Sequence, residues 1–252
     1  MCLVALAFEV HPRWRIVLAG NRDEFHPRPT ANLARWDDAP ILAGRDLESG
    51  GTWVGLDTRG RVAVVTNVRD GLAQPHQGPS RGALPIAFLG TDTAAEATTG
   101  ALLDHAGEYA PFNLLLADTG GCWHLGNHPL RRESLAPGVH GMSNGPLDAP
   151  WPKTRHLCTE LQEWLDAGSE DLQPLWAALA NERIAADEAL PNTGVGIELE
   201  RRLSAAFIRG MTYGTRASTI VLVDQNGHGW IHERRFGPEG VFLGETRLGK
   251  EA

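Results

Sequence analysis

The chain has 252 residues, of which 42% are apolar and 21% are charged, and this composition excludes a disordered or fibrous protein. Its 31 acidic residues outnumber its 23 lysines and arginines, so a net charge of -8 argues against any nucleic-acid partner. We expect one domain over residues 1–252, because layered folds of this length commonly stay undivided and no repeat or linker divides the sequence.

The predicted elements in the first half of the chain are two β-hairpins followed by two helices. Apolar runs rich in β-branched residues, each broken by turn residues, predict hairpins over residues 2–20 and 50–70. The polar stretch between them, residues 21–40, is dense in Pro and Arg and carries no predicted strand. Helical spacing then predicts two helices, at residues 80–89 and 93–103.

The second half repeats this succession of strands and helices. Two β-rich runs predict a hairpin over residues 111–127, and a short strand follows at residues 138–144. Amphipathic periodicity predicts helices at residues 151–167 and 172–181, and residues 216–236 form a clear final hairpin. Hairpins interleaved with pairs of helices, without strict strand and helix alternation, indicate an α+β fold of antiparallel sheets covered by helices.

The N-terminal apolar run is too short for a signal peptide, because Glu9 and His11 interrupt it and no small-residue cleavage site follows. No stretch of the sequence approaches the length of a membrane span. The three cysteines contain no CxxC pair, so we predict neither a disulfide framework nor a metal site. We therefore expect a cytoplasmic protein.

Cys2 is the candidate nucleophile. Initiator Met is normally removed before a small residue, which would give Cys2 both a thiol and a free α-amine. An α-amine has a pKa of about 7.7 to 8.0, so near neutral pH it can act as the base for its own thiol. The alternative is that Cys2 is a small buried apolar residue with an inert thiol, which is the common fate of a single cysteine.

The segment GNRDEF, residues 20–25, stands where the second strand should end beside the first. An arginine near a thiol lowers the thiol's pKa, and an aspartate can hydrogen-bond an α-ammonium or orient the group that takes the proton. Arg22 and Asp23 could serve these purposes beside Cys2. The alternative is a solvated turn, because charged residues in loops usually lie at the surface.

The sequence resembles the NRDE family, whose eukaryotic members are called transport and Golgi organisation proteins. Its landmarks span nearly the whole chain, and the NRDE and GGTWVG strings together are specific. The matching strings are MCL at residues 1–3, NRDEF at 21–25, GGTWVGL at 50–56, TNVR at 66–69, SN at 143–144 and YGTRAST at 213–219.

The family in turn is similar in pattern to the cholylglycine hydrolases and penicillin V acylases, which are cysteine N-terminal nucleophile amidases with an αββα sandwich. This resemblance implies the same sandwich for the present chain. It also implies a set of site residues, namely Cys2, Arg22, Asp23, Asn67, Asn144 and Arg216.

The resemblance assigns roles to these residues. A backbone N–H near Asn67 and the Asn144 side-chain amide would stabilise the oxyanion of a tetrahedral intermediate. Arg22 and Arg216 would keep the site electropositive and stabilise the thiolate. Arg22 and Asp23 are adjacent here, unlike their counterparts in those hydrolases, so in a strand they would point in different directions, which leaves open that one of them is structural.

Two functions remain open from the sequence. The first is hydrolysis of an amide or thioester bond of a small amphipathic molecule through an acyl-enzyme, without a cofactor. The second is a non-enzymatic haem-binding or haem-trafficking role in the same cleft, which the resemblance implies because family members are associated with intracellular haem movement. No axial-ligand motif is legible, and a purely structural scaffold would leave the Cys2, Arg22 and Asp23 pattern unexplained.

The remaining distinctive residues receive simpler interpretations. The Gly-Gly-Thr-Trp run lacks the lysine of a phosphate loop, so we interpret it as a tight backbone turn that places Trp53 beside the site. Cys122 and Cys158 fall in a predicted strand and helix, where ordinary core roles are expected.

Overall fold

The computed structural model describes residues 2–71 and 76–249. Its strands are β1 (Cys2–Phe8), β2 (Trp14–Phe25), β3 (Thr30–Arg35), β4 (Ile41–Asp46), β5 (Val54–Asp57), β6 (Val62–Asn67), β7 (Phe112–Asp118), β8 (Gly121–Asn127), β9 (Leu130–Ser134), β10 (Gly138–Met142), β11 (Tyr213–Asp224), β12 (Gly229–Phe236) and β13 (Phe242–Gly249). Its α-helices are α1 (Ala83–Leu89), α2 (Ala95–Leu103), α3 (Pro152–Asp166), α4 (Gln173–Leu179) and α5 (Ile197–Leu203).

The strands form two antiparallel sheets. One has the order β10-β1-β2-β11-β12-β13, and the other has the order β3-β4-β5-β6-β7-β8-β9. Helices α3 and α4 pack on the outer face of the first sheet, and α1 and α2 pack on the outer face of the second. The protein is therefore an αββα sandwich, and the α+β fold predicted from the sequence is confirmed.

The central strand β1 is buried on both faces because a sheet covers one side and helices cover the other. Val4 and Leu6 point into the core between the two sheets. Leu3 and Ala5, which alternate with them, point into the core beneath α3 and α4. The period of two along a strand thus distributes successive residues between two separate cores.

Strand β2 is longer than the sequence predicted, since it runs through the NRDEF segment to Phe25. The alternative of a solvated turn is wrong, because Arg22 and Asp23 are only 9% and 1% exposed. Pairing explains the extension. Arg22 lies opposite Cys2 of β1, and the far end of β2 pairs with β11 up to Phe25 and Tyr213.

Four strands and one helix were missing from the prediction. Strands β3 and β4 lie in and just after the polar stretch. All but one of the side chains of β3 are exposed or half-buried, and the apolar alternation that marks a strand is absent. Strand β9 at the opposite edge of that sheet is polar and largely exposed in the same way. Strand β13 and the seven-residue helix α5 are likewise mostly exposed or half-buried.

Candidate functional site

A cleft of about 250 Å³ opens between the two sheets, at the end where β1 begins and β2 ends. Side chains from both sheets and from the loop before α1 line it. Of the site residues predicted from the sequence, its lining contains Cys2, Arg22, Asp23, Asn67 and Arg216. The structure thus gathers around Cys2 residues as distant along the chain as Arg216.

Cys2 lies at the start of β1 and is 7% exposed. Its backbone carbonyl accepts a hydrogen bond of 3.0 Å from Ser143 Oγ, just after β10. Burial raises the pKa of the Cys2 thiol, the negative charge of Asp23 acts in the same direction, and the positive charge of Arg22 opposes both. The thiol at neutral pH is therefore predominantly protonated, and a base is required to make it nucleophilic.

Arg22 pairs with Cys2 across the two strands, so both side chains lie on the face that looks into the cleft. Its Nη2 donates to Asp46 Oδ2 at 3.0 Å. Its Nη1 is buried and has no hydrogen-bond partner among the described residues. Arg22, which lies opposite Cys2, therefore has an N–H group with which it can bind an anion.

Asp46, at the end of β4, is a site residue that the sequence analysis missed. It binds Arg22 and also accepts from Arg28 Nε at 2.6 Å. Burial works against the charged form of Asp46, but the hydrogen bond from Arg28 holds the pKa of this carboxyl below its usual range. A single aspartate near the end of an unpredicted strand carries no sequence signal, so only the fold reveals that it holds Arg22 in place.

Asp23 borders the cleft, but its carboxylate binds on the other face of the sheet. Asp23 Oδ1 accepts a hydrogen bond of 2.7 Å from Thr215 Oγ1 on β11. Asn21, two residues earlier on the same face, donates to the carbonyl oxygens of Leu179 and Ala206 under the helical layer. Arg22 and Asp23 thus point to opposite sides of β2, as their adjacency in a strand requires.

Asn67 ends β6 and lines the cleft, whereas Asn144 is fully buried behind it. Asn144 Nδ2 donates to the Asn67 carbonyl oxygen at 3.1 Å and to Asn67 Oδ1 at 3.0 Å. Because its Oδ1 accepts from Asn144, Asn67 has its own amide nitrogen directed away from that residue. The side-chain amide of Asn144 is thus bound to Asn67, so Asn67 is the member of the pair that lines the cleft, and Asn144 fixes its orientation.

Arg216 reaches the cleft from an irregularity in β11, where the register with β2 shifts between Thr215 and Ala217. Its Nη1 donates to the carbonyl oxygens of Phe25 and Arg28, at 3.3 and 2.5 Å. Burial lowers the pKa of Arg216, and the positive charge of Arg22 adds to this effect. Arg216 thus stabilises the turn after β2 through these hydrogen bonds, and it contributes positive charge to the cleft.

The described lining of the cleft carries more arginines than carboxylates. The arginines are Arg22, Arg28, Arg45, Arg81, Arg216 and Arg235, and the carboxylates are Asp23, Glu24, Asp46 and Glu233. Arg81 was not predicted as a site residue. It precedes α1, and its Nη1 donates to the Pro111 carbonyl oxygen at 3.0 Å. This excess of positive charge suits a substrate or intermediate that carries negative charge.

The Gly-Gly-Thr-Trp run forms one wall of the cleft. Gly50 has φ +75°, as the predicted turn requires, and Trp53 lines the cleft as expected. Gly51 has a different role, because a Cβ there would lie 2.5 Å from the carbonyl carbon of Gly82. The run therefore allows two backbone segments to touch, which holds the segment bearing Arg81 against the cleft.

Cys122 and Cys158 lie away from the cleft and have core roles, as expected. Cys122 is buried between the sheets, and Cys158 packs against the core beneath α3. Burial raises the pKa of each thiol to about 12. Within residues 2–71 and 76–249, no three His, Cys, Asp or Glu side chains come together as a metal ion would require. No helix among those residues has the length and apolar character to cross a membrane.

A family model described as Transport and Golgi organisation 2 matches residues 1–238. The human Transport and Golgi organization protein 2 homolog is 33% identical over 98% of this chain and 97% of its own length. The mouse homolog is 33% identical over 93% of this chain and 92% of its own length. The Drosophila melanogaster protein is 26% identical over 100% of this chain and 98% of its own length.

Two solved structures share the fold. Penicillin V acylase from Agrobacterium tumefaciens superposes with a TM-score of 0.54, at 11% identity, over 98% of this chain and 86% of that protein. The Caenorhabditis elegans ortholog of N-acylethanolamine-hydrolyzing acid amidase superposes with a TM-score of 0.53, at 10% identity, over 88% of this chain and 92% of that protein. At such low identity the similarity establishes the αββα architecture alone.

Proposed function

Because this chain belongs to the Transport and Golgi organisation 2 family and has an N-terminal nucleophile hydrolase fold, we propose that it is a cysteine hydrolase of that type. It cleaves an amide or thioester bond of a small amphipathic molecule. The observation that carries the proposal is the position of Cys2, at the base of a cleft and directly opposite Arg22. An acylase and an amidase by name among the similar structures support acyl transfer as the chemistry.

The α-amine of Cys2, exposed by removal of Met1, supplies the base for the thiol of the same residue. It accepts the Sγ proton as Sγ bonds to the substrate carbonyl carbon, and the carbonyl π electrons move to oxygen. The intermediate collapses, the bond to the leaving amine or thiol breaks, and the ammonium returns its proton to that group. Water then attacks the Cys2 thioester, which releases the acid and restores the thiol.

The oxyanion in this scheme has two donors in the cleft. Arg22, opposite Cys2, has a buried Nη1 without a described partner, and Asn67 lines the cleft with its orientation fixed by Asn144. Donors held in place before the reaction stabilise developing negative charge without having to reorganise. Asp23, on the other face of β2, supplies a negative charge that stabilises the α-amine once it has accepted the proton.

The haem-binding alternative gains no support from the cleft. Cys2 is the one axial ligand type in its described lining, which contains no His, Met or Tyr. Arginines and carboxylates make up ten of those lining residues, unlike the apolar slot that a porphyrin ring requires. These residues do not fit a haem, and no step of the proposed reaction involves one.

Intact-mass measurement tests the proposal. The chain from which Met1 has been removed, so that Cys2 is the first residue, is mixed with activated acyl esters and thioesters. A single acyl adduct that maps to Cys2 is expected. The adduct should be absent in Cys2→Ala and should form slowly in Cys2→Ser, because a hydroxyl is a far weaker acid than a thiol. Retaining Met1 should also slow it, because an amide nitrogen cannot accept the thiol proton.

Cys158→Ala is the matched control, since it removes a half-buried thiol outside the cleft and should acylate like the unaltered chain. The hydrolase proposal is overturned if the processed chain, correctly folded, yields no adduct at Cys2 with any member of the substrate panel.

A further inference from the structure

Two arginines of the cleft have no carboxylate partner. Four of its six arginines each pair with an aspartate or a glutamate, namely Arg22, Arg28, Arg45 and Arg235. Arg81 and Arg216 line the same cleft, and among the described residues neither has a carboxylate at ion-pair distance. Both are half-buried, where a charge without a counter-charge is costly. A bound anion would supply the missing counter-charge.

Arg81 and Arg216 reach the cleft from different sheets. Arg216 belongs to β11 of the first sheet. Arg81 precedes α1, and its Nη1 donates to the carbonyl oxygen of Pro111, just before β7 of the second sheet. The next residue, Gly82, accepts a hydrogen bond of 3.1 Å from the backbone N–H of Thr52, just before β5. A ligand between the sheets therefore has one of these cations on each side.

Each guanidinium is held through one nitrogen and leaves one edge unused. Arg81 Nη1 donates to Pro111, and Arg216 Nη1 donates to the carbonyl oxygens of Phe25 and Arg28. Nε and Nη2 of both arginines have no hydrogen-bond partner among the described residues, and the protein does not enclose them. Nε and Nη2 form the edge of a guanidinium that binds two oxygens of a carboxylate or phosphate at once.

Glu24, on the same face of β2 as Arg22, is the carboxylate whose charge acts on both arginines, but other groups bind it. Its Oε1 accepts from the backbone N–H of Phe25 at 2.8 Å, and its Oε2 lies 3.7 Å from Arg22 Nη2. Burial lowers the pKa of Arg81, and the charges of Cys2 and Glu24 oppose the decrease. Burial also lowers the pKa of Arg216, with Glu24 among the opposing charges.

Apolar side chains share the cleft with these arginines. Trp53, Phe236 and Leu243 all belong to its lining, and Leu243 is 62% exposed. An apolar group of a ligand can therefore be buried in the cleft that binds its anionic group. This combination favours an amphipathic molecule whose polar end is an acid.

We propose that Arg81 and Arg216 bind an anionic group of the substrate, a carboxylate or a phosphate, through their Nε and Nη2 edges. This inference rests on the proposed hydrolase function and names the substrate class for it. The substrate is an acyl amide or thioester that carries an acidic group in addition to the bond cleaved at Cys2. Arg81 and Arg216 thus determine specificity, because a neutral analogue leaves both charges without a partner.

The first experiment measures binding without turnover. Cys2→Ala is titrated with octanoate, octyl phosphate and neutral octanamide, and ligand-observed NMR gives the three dissociation constants. At least one of the anions should bind roughly 10-fold or more tightly than octanamide, because it gains charge-assisted hydrogen bonds to two arginines. The tighter of the two anions identifies the acidic group as carboxylate or phosphate. Equal binding of all three probes would overturn the proposal.

Variants in the Cys2→Ala background assign the preference to its residues. Arg81→Met/Arg216→Met should abolish the preference for the anion, and high salt should weaken it in the unaltered cleft. Arg45→Met is the matched control, because Arg45 lines the cleft but pairs with exposed Asp38, and it should keep the preference. Arg81→Met alone decides the question if loss of Arg216 prevents folding, and it should reduce the preference roughly 10-fold. A preference that persists in Arg81→Met would overturn the proposal.

The second experiment uses a matched pair of thioesters and the chain from which Met1 has been removed. Octanoyl thioglycolate carries a carboxylate, and its amide is the neutral counterpart. Arg81→Met should raise KM for the anionic thioester, leave kcat close to its original value and leave the neutral thioester unaffected. Equal slowing of both thioesters would mean that Arg81 acts on the thiol or the oxyanion, and it would overturn the proposal. If neither thioester acylates Cys2, the hydrolase proposal fails, while the binding preference still decides the role of the two arginines.

Discussion

Cys2 and Arg22 lie directly opposite each other across β1 and β2, on the face of the sheet that lines the cleft. The relationship is set by backbone register, so it does not depend on a flexible side chain finding its place. Asp46 accepts from Nη2 of the Arg22 guanidinium, and Nη1 is buried without a hydrogen-bond partner among the described residues. The pairing of β1 with β2 thus places the nucleophile and a cationic donor at opposite positions of neighbouring strands.

Replacement of Arg22 should slow the reaction of Cys2 in a chain that still folds. Arg22→Met should lower the rate of Cys2 acylation by roughly 100-fold or more, because it removes a donor aimed at the developing oxyanion. Arg45→Met is the matched control, since Arg45 lines the same cleft but pairs with exposed Asp38. Intact-mass kinetics check both variants, and equal rates in the two would contradict the role given to Arg22.

The reactivity of Cys2 should rise steeply with pH. Because burial raises the pKa of the thiol, the thiolate of the chain that retains Met1 is scarce at pH 7, and alkylation by iodoacetamide should still increase beyond pH 9. Asp23→Asn should move this profile to lower pH, since the negative charge of Asp23 opposes the thiolate. If the alkylation rate, read from the mass of the alkylated protein, reached a plateau below pH 8, the pKa of the thiol would not be raised.

Gly51 should tolerate no side chain. In Gly51→Ala the new Cβ would meet the backbone of Gly82 at 2.5 Å, so the segment bearing Arg81 must move, at a cost of about 1 to 3 kcal/mol in unfolding free energy. Gly107→Ala is the control, because nothing lies within 4 Å of a Cβ there. Urea unfolding gives the two values, and similar stabilities would mean that the contact yields easily.

Asp57, in the hairpin of β5 and β6, should be the more costly of two aspartates that bind Arg59. Its carboxylate is fully buried, accepts from Arg61 Nε at 2.7 Å and also pairs with Arg59. Asp57→Ala should lower the unfolding free energy by about 3 to 5 kcal/mol, since it leaves the buried Arg61 without its carboxylate partner. Asp92, which is 96% exposed, should change stability by no more than about 0.5 kcal/mol when replaced by Ala. Comparable losses in denaturant unfolding would refute the distinction.

The sequence predicted the elements whose burial is continuous or strictly periodic. Strand β1 is buried at every position, and α3 presents a regular apolar face, so both were predicted correctly. Strand β3 has one buried side chain, so its sequence resembles that of a loop. It is a strand because its backbone pairs with β4. Local pattern carries no information about such edge strands.

The candidate site divides in a similar way. The residues that resemble a known pattern, such as Cys2 and Arg22, could be located from the sequence. Asp46 and Arg81 could not, because each is bound to a residue that is distant along the chain. Their positions follow from sheet order and from the packing of helices on the outer faces.

The opposite orientations of Arg22 and Asp23 make the order of these two residues as important as their identity. Exchanging them, as Arg22→Asp with Asp23→Arg, would leave amino-acid composition, net charge and chain length untouched. The permuted strand would nevertheless turn a carboxylate toward the Cys2 thiol and a guanidinium toward Thr215 on the opposite face. The order of these two residues therefore decides which charge faces the thiol, and no measure of overall charge or hydrophobicity could detect that order.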